Sequence, residues 1–492
     1  MTRRGRLFER RQAGVERPRR PHRFDCRNGL RRPHWRTRSR PSKLLAFESV
    51  SAWEECAVSS EETRPDAAVA APPHVAGAAR GAGSPRMTGA RLAGRAHDNR
   101  YTLDIPEISM KKTLTALAVT ATFAAPAFAQ SSVTLYGVID EGLNYTNNVG
   151  TGHVYEMASG YAQGSRWGLK GSEDLGGGMK AIFQLENGFD VNTGRLNQGG
   201  RMFGRQAYVG LSQTQYGTLT FGRQYDSVVD YLAPTTANGN WGGYLLAHPF
   251  DNDNTDNSFR LDNTVKYASP NFGGFQFGGA YSFSNSTNFS DNRAYSFGAQ
   301  YQNNGLLIGA AYLQANRPGD GSAGAITAND ASYIAERMRV FGAGINYSFG
   351  PATVGFAYTN SNYKNPTGNG YLGTPGAIIA PGATVSAIKY QNFEVNGSYQ
   401  ITPAFMVGAQ YVLSLEKYDA STGDAKPKIH SVGLMADYNL SKRTDVYVQA
   451  AYQHIAGDKT NSILDNAFIP GTDAPSSTSN QVAVRLALRH KF

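Results

Sequence analysis

The chain ends, over residues 480–492, in the stretch N-Q-V-A-V-R-L-A-L-R-H-K-F. Successive residues of a β-strand point to opposite faces, so this alternation of apolar and polar residues predicts a strand with one apolar and one charged face. Its length is that of a strand crossing a membrane in a barrel, about 9–11 residues. We expect lipid against the aliphatic side chains and an aqueous lumen against Arg485 and Arg489, where a charge at Ala487 would also be tolerated. The apolar face is formed by Val482, Val484, Leu486, Leu488 and Phe492.

The same alternation recurs from residue 130 onward, giving 16 runs in all. Tight turns such as Asn303-Asn304-Gly305 follow every second run, and longer segments rich in Asn, Gly, Ser and Thr separate the others. An even number of strands with short turns at one end and long loops at the other is typical of membrane barrels. The sequence therefore predicts an all-β fold, a 16-stranded antiparallel transmembrane β-barrel with short periplasmic turns and long extracellular loops. The last run would pair with the first, 133–144, to close it.

Composition agrees with a barrel and disfavours the alternatives. Charged residues are 17% of the chain, and it contains 55 Gly, 27 Tyr and 24 Phe. No window of 18 apolar residues exists, so no helix is predicted to span a membrane. A soluble β-sandwich of this many strands would need a larger aliphatic core than the chain offers.

The first 129 residues differ from the remainder. They hold both cysteines, 24 of the 48 basic residues and 12 of the 38 acidic ones, which leaves the remainder with a net charge of −2. Residues 1–109 are rich in Arg and Pro, which could suit a nucleic-acid-binding arm, but Met110 begins a secretory signal peptide of 110–129. We therefore expect cleavage after Ala129, a non-structural upstream extension from a mis-assigned start, and no nucleic-acid partner. The barrel domain would occupy 130–492.

The longest interruption, residues 225–259, follows the fifth predicted strand and is aromatic and acidic. A segment of this length inside a compact fold is usually functional. We expect this third long loop to fold inward and narrow the lumen, although a surface cap is the alternative. Basic side chains on the wall opposite acidic loop residues would filter ions by charge. Wall residues with lumen parity are Arg166, Lys170, Lys180, Glu186, Arg260 and Lys266.

Motifs for enzymatic chemistry are missing from the sequence. It contains no G-x-S-x-G, H-E-x-x-H or P-loop motif, and the histidines after residue 130 have no metal-ligand spacing. The sequence therefore predicts neither an enzyme nor a bound metal or cofactor.

Several segments carry a family resemblance, in a fixed order and spacing. They are S-R-W-G-L-K-G-S-E-D-L-G-G-G-M-K-A (165–181), F-G-R-Q-A-Y-V-G-L (203–211), Y-G-T-L-T-F-G-R-Q-Y (216–225), N-T-V-K-Y-A-S-P-N-F-G-G-F (263–275) and the terminal R-H-K-F. Over residues 130–492 the chain resembles the general porins of Gram-negative bacteria, in particular the betaproteobacterial branch. The resemblance implies a homotrimeric barrel in the outer membrane, with lipid around it and an eyelet formed by the third loop. It also implies passive diffusion of ions and small hydrophilic solutes.

The resemblance also implies roles for particular residues. The basic side of the constriction would be formed by Arg166, Arg205 and Arg260, to which we add Arg223. The acidic residue on the wall would be Glu186. On the loop we choose Asp226 and Asp230 as the acidic residues. Arg205 and Arg223 share parity with outward-facing neighbours, so a bulge must intervene or their assignment is weak. Phe492 resembles the signal read by the outer-membrane assembly machinery, and residues 189–202 resemble a latch to a neighbouring subunit. Expected lumen-lining residues are Lys170, Lys180, Lys266, Arg485 and Arg489.

Three functions remain open at this point. The leading one is a general diffusion channel. A channel with a preferred, anionic solute has the same architecture, and a receptor or adhesin barrel is the alternative from another class.

Overall fold

The computed structural model describes residues 131–321, 323–372 and 376–492. The predictions for 1–109, for the signal peptide 110–129 and for cleavage after Ala129 lie outside the described residues. Within them, 16 antiparallel strands form one closed barrel, which confirms the predicted fold. The strands are β1 (Ser132–Val149), β2 (two segments, Gly152–Ser159 and Arg166–Gly176), β3 (Met179–Gly188), β4 (Gln206–Gln213), β5 (Gly217–Gln224), β6 (Leu261–Ala268), β7 (Phe275–Ser282), β8 (Ala294–Asn303), β9 (Leu306–Asn316), β10 (Arg337–Phe349), β11 (Ala352–Lys364), β12 (Val385–Thr402), β13 (Phe405–Ala420), β14 (Pro427–Asn439), β15 (Thr444–Gly457) and β16 (Asn480–Lys491).

The first and last strands close the barrel, as the sequence predicts. β1 and β16 pair antiparallel, with Leu143 opposite Leu486. The backbone of the terminal residue continues the ladder, because Phe492 and Gly137 exchange both N–H···O bonds at 3.0 and 3.1 Å. No strand edge is therefore left open at this seam, which is what a membrane-spanning sheet requires.

The second strand is interrupted, which the sequence pattern does not predict. Its first segment pairs with the loop-end half of β1 and its second segment with the other half. Residues 160–165 between them leave the sheet and bring Tyr161 and Ala162 into the lumen, where both are buried. The first segment, G-H-V-Y-E-M-A-S, has little aliphatic alternation, so its sequence is typical of a loop.

The last strand alternates between lipid and lumen faces, but its lumen face is not aqueous. Leu486 and Leu488 point outward with 57% and 47% exposure. Arg485 points inward, yet it is 0% exposed, and Ala487 is buried beside Met435 and Tyr447. The expectation of tolerance to a charge at Ala487 is therefore wrong, because the side chain would be desolvated in an apolar cluster.

Residues 225–260, here called the inner loop, fold into the barrel as short helical turns that include Val228–Leu232 and Asn238–Gly242. The loop packs directly on the inner wall, where glycines leave room for it. A Cβ at Gly309 of β9 would lie 2.0 Å from the carbonyl oxygen of Tyr231, and one at Gly408 of β13 would lie 2.7 Å from the ring of Trp241. Glycine inside a strand commonly marks such close approach of another segment.

Other long loops fold over the inner loop and bury it. Phe250 of the inner loop contacts Tyr333 and Phe468, which come from the loops after β9 and β15, at ring distances of 6.5 and 5.8 Å. Leu232, Phe259 and many loop residues share one apolar cluster with them. Among the described residues, no helix is long and apolar enough to cross a membrane.

Candidate pore constriction

A cavity of about 970 Å³ lies between the inner loop and the wall formed by β2 to β6. Its charged lining residues come from both sides. From the wall and its strand ends come Arg166, Glu186, Arg205 and Arg260, and from the loops come Asp256 and Asp330. Polar side chains such as Asn238, Asn240 and Ser258 complete it. The cavity is therefore polar and lined by both signs of charge at one level of the barrel.

One carboxylate on the wall is shared by two guanidinium groups. Nε of Arg205 donates to Oε1 of Glu186 at 2.8 Å, and Nε of Arg166 lies 3.7 Å from Oε2. The hydroxyl of Tyr136 donates to the same Oε2 at 2.8 Å. Arg166 keeps 20% of its side chain exposed, whereas Arg205 keeps 9%. Arg166 is thus the more accessible of these two guanidinium groups.

Local irregularities turn Arg205 and Arg223 inward, against the parity of their strands. Arg205 precedes the regular strand β4, which begins at Gln206. Arg223 follows Gly222, whose φ is +136°, and the register with β6 shifts between Gly222 and Gln224. A bulge of this kind re-aims a side chain. The ambiguity left by the sequence is resolved by irregular backbone at both arginines.

Arg260 closes the wall side of the cavity at the end of the inner loop. Its guanidinium lies 5.4 Å from the ring centre of Tyr225, and Nη2 donates to Oδ1 of Asn257 at 2.6 Å. Its Nε has no hydrogen-bond partner among the described residues. The hydroxyl of Tyr225 accepts from Nη2 of Arg205 at 2.8 Å, so one phenol connects both arginines.

The inner loop presents Asp256 to the cavity rather than the two aspartates chosen from sequence. Burial, and then the neighbouring Asp251, raise the pKa of Asp256 well above its ordinary value. The carboxyl is therefore neutral over a wider range of pH than a solvated aspartate. Spacing alone does not tell which loop acids face inward, so this residue is not among those predicted for the constriction.

The structure places Asp226 and Asp230 away from the cavity lining, which corrects their assignment. Asp226 is 0% exposed and stabilises the loop from within: its carboxylate accepts from the backbone N–H of Val228 at 2.7 Å and from Asn254 at 2.6 Å. Asp230 is paired with Nζ of Lys266. Lys266 is therefore neutralised by the loop and is not a free cation of the lumen.

Arg223 belongs to a separate ion-pair network instead of the eyelet. Its Nη1 and Nη2 lie 2.6 Å from carboxylate oxygens of Asp262 and Asp330. Arg201 lies 3.9 Å from the same two carboxylates. This group has two positive and two negative charges, and it fastens β5 and β6 to the loop after β9. Asp330 also touches the cavity, so the network borders the site.

The remaining predicted lumen residues lie elsewhere on the wall. Lys170 is exposed and stands 5.2 Å from the ring centre of Tyr136. Lys180 is exposed near the short-turn end.

The two arginines of the last strand are enclosed by hydrogen-bond partners. Nη2 of Arg485 donates to Asp140 at 2.9 Å, and its Nη1 donates to Asn144 at 2.8 Å. Arg489 pairs with Asp437 and Asp445, each at 3.1 Å. The side chain of Phe492, the predicted assembly signal, is 43% exposed.

A buried ionic triad holds the inner loop against the far wall. His248 lies with Nδ1 2.6 Å from Asp253 and Nε2 2.8 Å from Glu394 of β12. Burial alone would lower the pKa of His248, but the two carboxylates raise it to about 10. The backbone N–H of Ala237 also donates to Glu394, at 2.6 Å. No local sequence signal marks this triad, because its members lie up to 146 residues apart.

The assembled site can act on solutes electrostatically. Three guanidinium groups line the cavity together with the wall carboxylate of Glu186, with Asp256, whose pKa is raised, and with Asp330, which is paired with Arg223. Fixed charges of one sign beside a narrow polar passage filter ions by charge. No group of three or more metal-ligating side chains occurs in the described part of the chain.

Comparison with known proteins points in one direction. The model of a family described as Gram-negative porin matches residues 113–458. An outer membrane porin protein of Bordetella pertussis is 34% identical over 421 residues, covering 78% of this chain and 100% of the relative. Outer membrane porin protein 32 of Delftia acidovorans is 30% identical over 397 residues, with the same coverage. The solved anion-selective porin from Comamonas acidovorans aligns with a TM-score of 0.56 and 26% identity, covering 74% of this chain and 100% of that one.

Proposed function

Because the chain belongs to the Gram-negative porin family and is an outer-membrane channel, we propose that it conducts small hydrophilic solutes passively with a preference for anions. The observation that carries the preference is the surplus of arginine in the eyelet. Arg166 and Arg205 share the carboxylate of Glu186, and Arg260 adds a third positive charge to the same lining. A passage with an excess of fixed positive charge lowers the energy of an anion and raises that of a cation.

The opposing loop strengthens this balance. Asp256 is the acidic inner-loop residue lining the cavity, and its raised pKa reduces the negative charge it supplies. The likeness to a porin named as anion-selective, at 26% identity, agrees with the proposal.

A channel with a preferred organic anion is the second candidate. Arg166 and Arg260 both line the cavity, and 20% of the Arg166 side chain is exposed. A carboxylate could accept from both, since arginine favours paired contacts with carboxylates. Block of single-channel current by a small dicarboxylate at concentrations that leave chloride current intact would support this candidate.

We also propose that the protein functions as a homotrimer, and that a signal peptidase cleaves the chain after Ala129. The outward faces of β1 to β5 are apolar, with Leu143, Tyr155, Met157 and Val209 each more than half exposed at 58%, 75%, 61% and 59%. Such a face suits either lipid or a neighbouring subunit. The mass of the native assembly tests the trimer. Mass spectrometry of the native N-terminus tests the cleavage after Ala129 and shows whether residues 1–109 are present.

Reversal potentials in a salt gradient test the anion preference. Purified protein in a planar bilayer between unequal KCl solutions should give a chloride-to-potassium permeability ratio above one. A ratio below one would contradict the proposal, and the absence of channels would contradict the pore itself.

A further inference from the structure

Six basic side chains line the outward surface of the barrel at the long-loop end of β10 to β14. We call them the basic belt; its members are Arg337, Arg339, Lys364, Lys389, Lys417 and Lys428. None of them faces the eyelet.

Strand register places three of these residues in one row across four neighbouring strands. Arg339 of β10 is opposite Asn362 of β11, which is opposite Lys389 of β12, which is opposite Lys417 of β13. Arg337 and Lys364 are likewise opposite each other, one outward position nearer the loops. With neighbouring strands about 4.8 Å apart, the row from β10 to β13 extends about 15 Å along the barrel surface.

The belt lies directly above the lipid-facing apolar band. On β10, Arg339 shares its face with Phe341 and Ile345, which are 46% and 42% exposed. On β12, Lys389 shares its face with Val395, which is 58% exposed. Charged side chains at this position lie at the level of lipid headgroups, because they stand at the end of the hydrocarbon band.

The belt carries more positive charge than the carboxylates within it can balance. Nζ of Lys364 lies 2.5 Å from Glu336, and Asp419 is shared by Lys417 at 2.6 Å and Lys389 at 3.4 Å. Asp424 adds a third carboxylate near Lys417, so six basic groups against three carboxylates leave a surplus of three positive charges. The lysines of these pairs stay open, with 45%, 44% and 39% of their side chains exposed.

The opposite side of the barrel differs. On the described strands β1 to β5, no Lys or Arg lies on the outward face at the loop end, where residues such as Leu143, Tyr155 and Met157 stand instead. The positive charge is thus confined to one arc of the wall, and a uniform coating for solubility would not be distributed in this way.

We infer that the basic belt binds the phosphate groups of phosphorylated glycolipid in the outer leaflet, and so holds a layer of anionic lipid against β10 to β14. Ammonium and guanidinium groups form charge-assisted hydrogen bonds with phosphate, and a row of them at a membrane surface attracts anionic headgroups. The acyl chains of the same lipid would lie on the apolar band below. The inference rests on the outer-membrane location and not on the anion preference of the eyelet.

Native mass spectrometry of the detergent-solubilised channel, titrated with bis-phosphorylated lipid A, tests this inference. The belt variant K389Q/K417Q and the variant R337Q/R339Q should each retain at least tenfold less lipid A than the wild type. The matched control K442Q/R443Q removes two positive charges from the exposed short turn between β14 and β15, and should bind lipid A like the wild type.

Two further measurements separate the outcomes. The belt variants should conduct like the wild type, which would show that they fold. The lipid A binding of the belt and the anion preference of the channel are therefore tested independently of each other. Lipid A without its phosphates should bind the wild type no better than it binds the belt variants. Equal retention by wild type and belt variants, or an equal loss in the short-turn control, would overturn the inference. Displacement by inorganic phosphate at equimolar concentration would also overturn it, because it would indicate a site for free phosphate.

Discussion

Arg205 and Glu186 form a 2.8 Å ion pair at the wall of the eyelet, and the same carboxylate also lies 3.7 Å from Arg166. One acid thus holds two guanidinium groups in place beside the cavity. Its negative charge also offsets part of the positive field that we propose to select anions.

Glu186→Gln should raise the preference for anions. The substitution keeps the shape of the side chain but removes the negative charge shared by the two arginines. A unit charge about 4 Å from an ion changes its energy by about 1 kcal/mol in water-like surroundings, which is about fivefold in relative permeability. Reversal potentials should therefore show a higher chloride-to-potassium ratio. Glu336→Gln, the same change on an exposed loop residue outside the eyelet, should leave the ratio unaltered; a lower ratio for Glu186→Gln would contradict the assignment.

Selectivity should depend on pH through Asp256. Burial and Asp251 raise the pKa of Asp256, so the carboxyl is neutral below this raised pKa and negative above it. Raising the pH through this pKa therefore adds a negative charge to the eyelet, and the preference for anions should fall by up to about fivefold. Reversal potentials recorded between pH 4 and pH 9 measure this change. In Asp256→Asn the step should vanish; an identical pH profile in both proteins would assign the titration to another group.

Gly309→Val should push the inner loop into the pore. A Cβ at this position would lie 2.0 Å from the carbonyl oxygen of Tyr231, so the loop must move toward the cavity. We expect a reduced single-channel conductance, and a destabilisation of about 1–3 kcal/mol from overpacking. The neighbouring Ala310 points outward and is exposed, so Ala310→Val should conduct like the wild type. Equal conductance of the two variants would show that the loop does not rest on this glycine.

The triad of His248, Asp253 and Glu394 should stabilise the inner loop over a defined pH window. The pKa of His248 is raised to about 10 from 6.5, so its contribution is complete below pH 6.5 and is lost as the pH rises through about 10. Burial alone would raise the pKa of Asp253, but His248 lowers it to about 2 from 3.8. Its contribution is complete above pH 3.8 and is lost as the pH falls through about 2. Hydrogen-exchange protection of the loop should be greatest between these limits.

His248→Gln should loosen the same loop at neutral pH. Removing one member of a buried ion pair costs about 3 kcal/mol, because the remaining carboxylates lose their counter-charge. That cost corresponds to an approximately hundredfold faster amide exchange in residues 237–254. His430→Gln is the control, since His430 lies on the outward face of β14. Equal protection of the inner loop in the two variants would show that the triad does not hold the loop.

Much of the fold could be predicted because the signals are local. Alternation along a strand, and Asn-Gly or Gly-Pro turns, depend only on neighbouring residues. The first segment of β2 could not be predicted because G-H-V-Y-E-M-A-S has too few aliphatic residues to show a period.

The site was harder to predict because its geometry depends on irregular backbone and long-range contacts. Arg166 and Glu186 follow from strand parity and lie in the cavity lining. The inward position of Arg223 depends on the bulge at Gly222, which the alternation of apolar and polar residues does not show. Arg223 then pairs with Asp330, which lies more than a hundred residues away in the chain. Asp226 and Asp256 belong to the same loop, and only its folded path decides which carboxylate reaches the cavity.

The reversal potential of the double variant R166Q/R260Q, compared with the wild type in the same KCl gradient, measures directly how far these two arginines select anions. Lys442→Gln, a single charge removed from an exposed short turn, serves as the control. The eyelet we propose gives a chloride-to-potassium permeability ratio above one in the wild type and in the control. The ratio should fall at least fivefold in the double variant. An unchanged ratio in R166Q/R260Q would show that these arginines do not control ion passage.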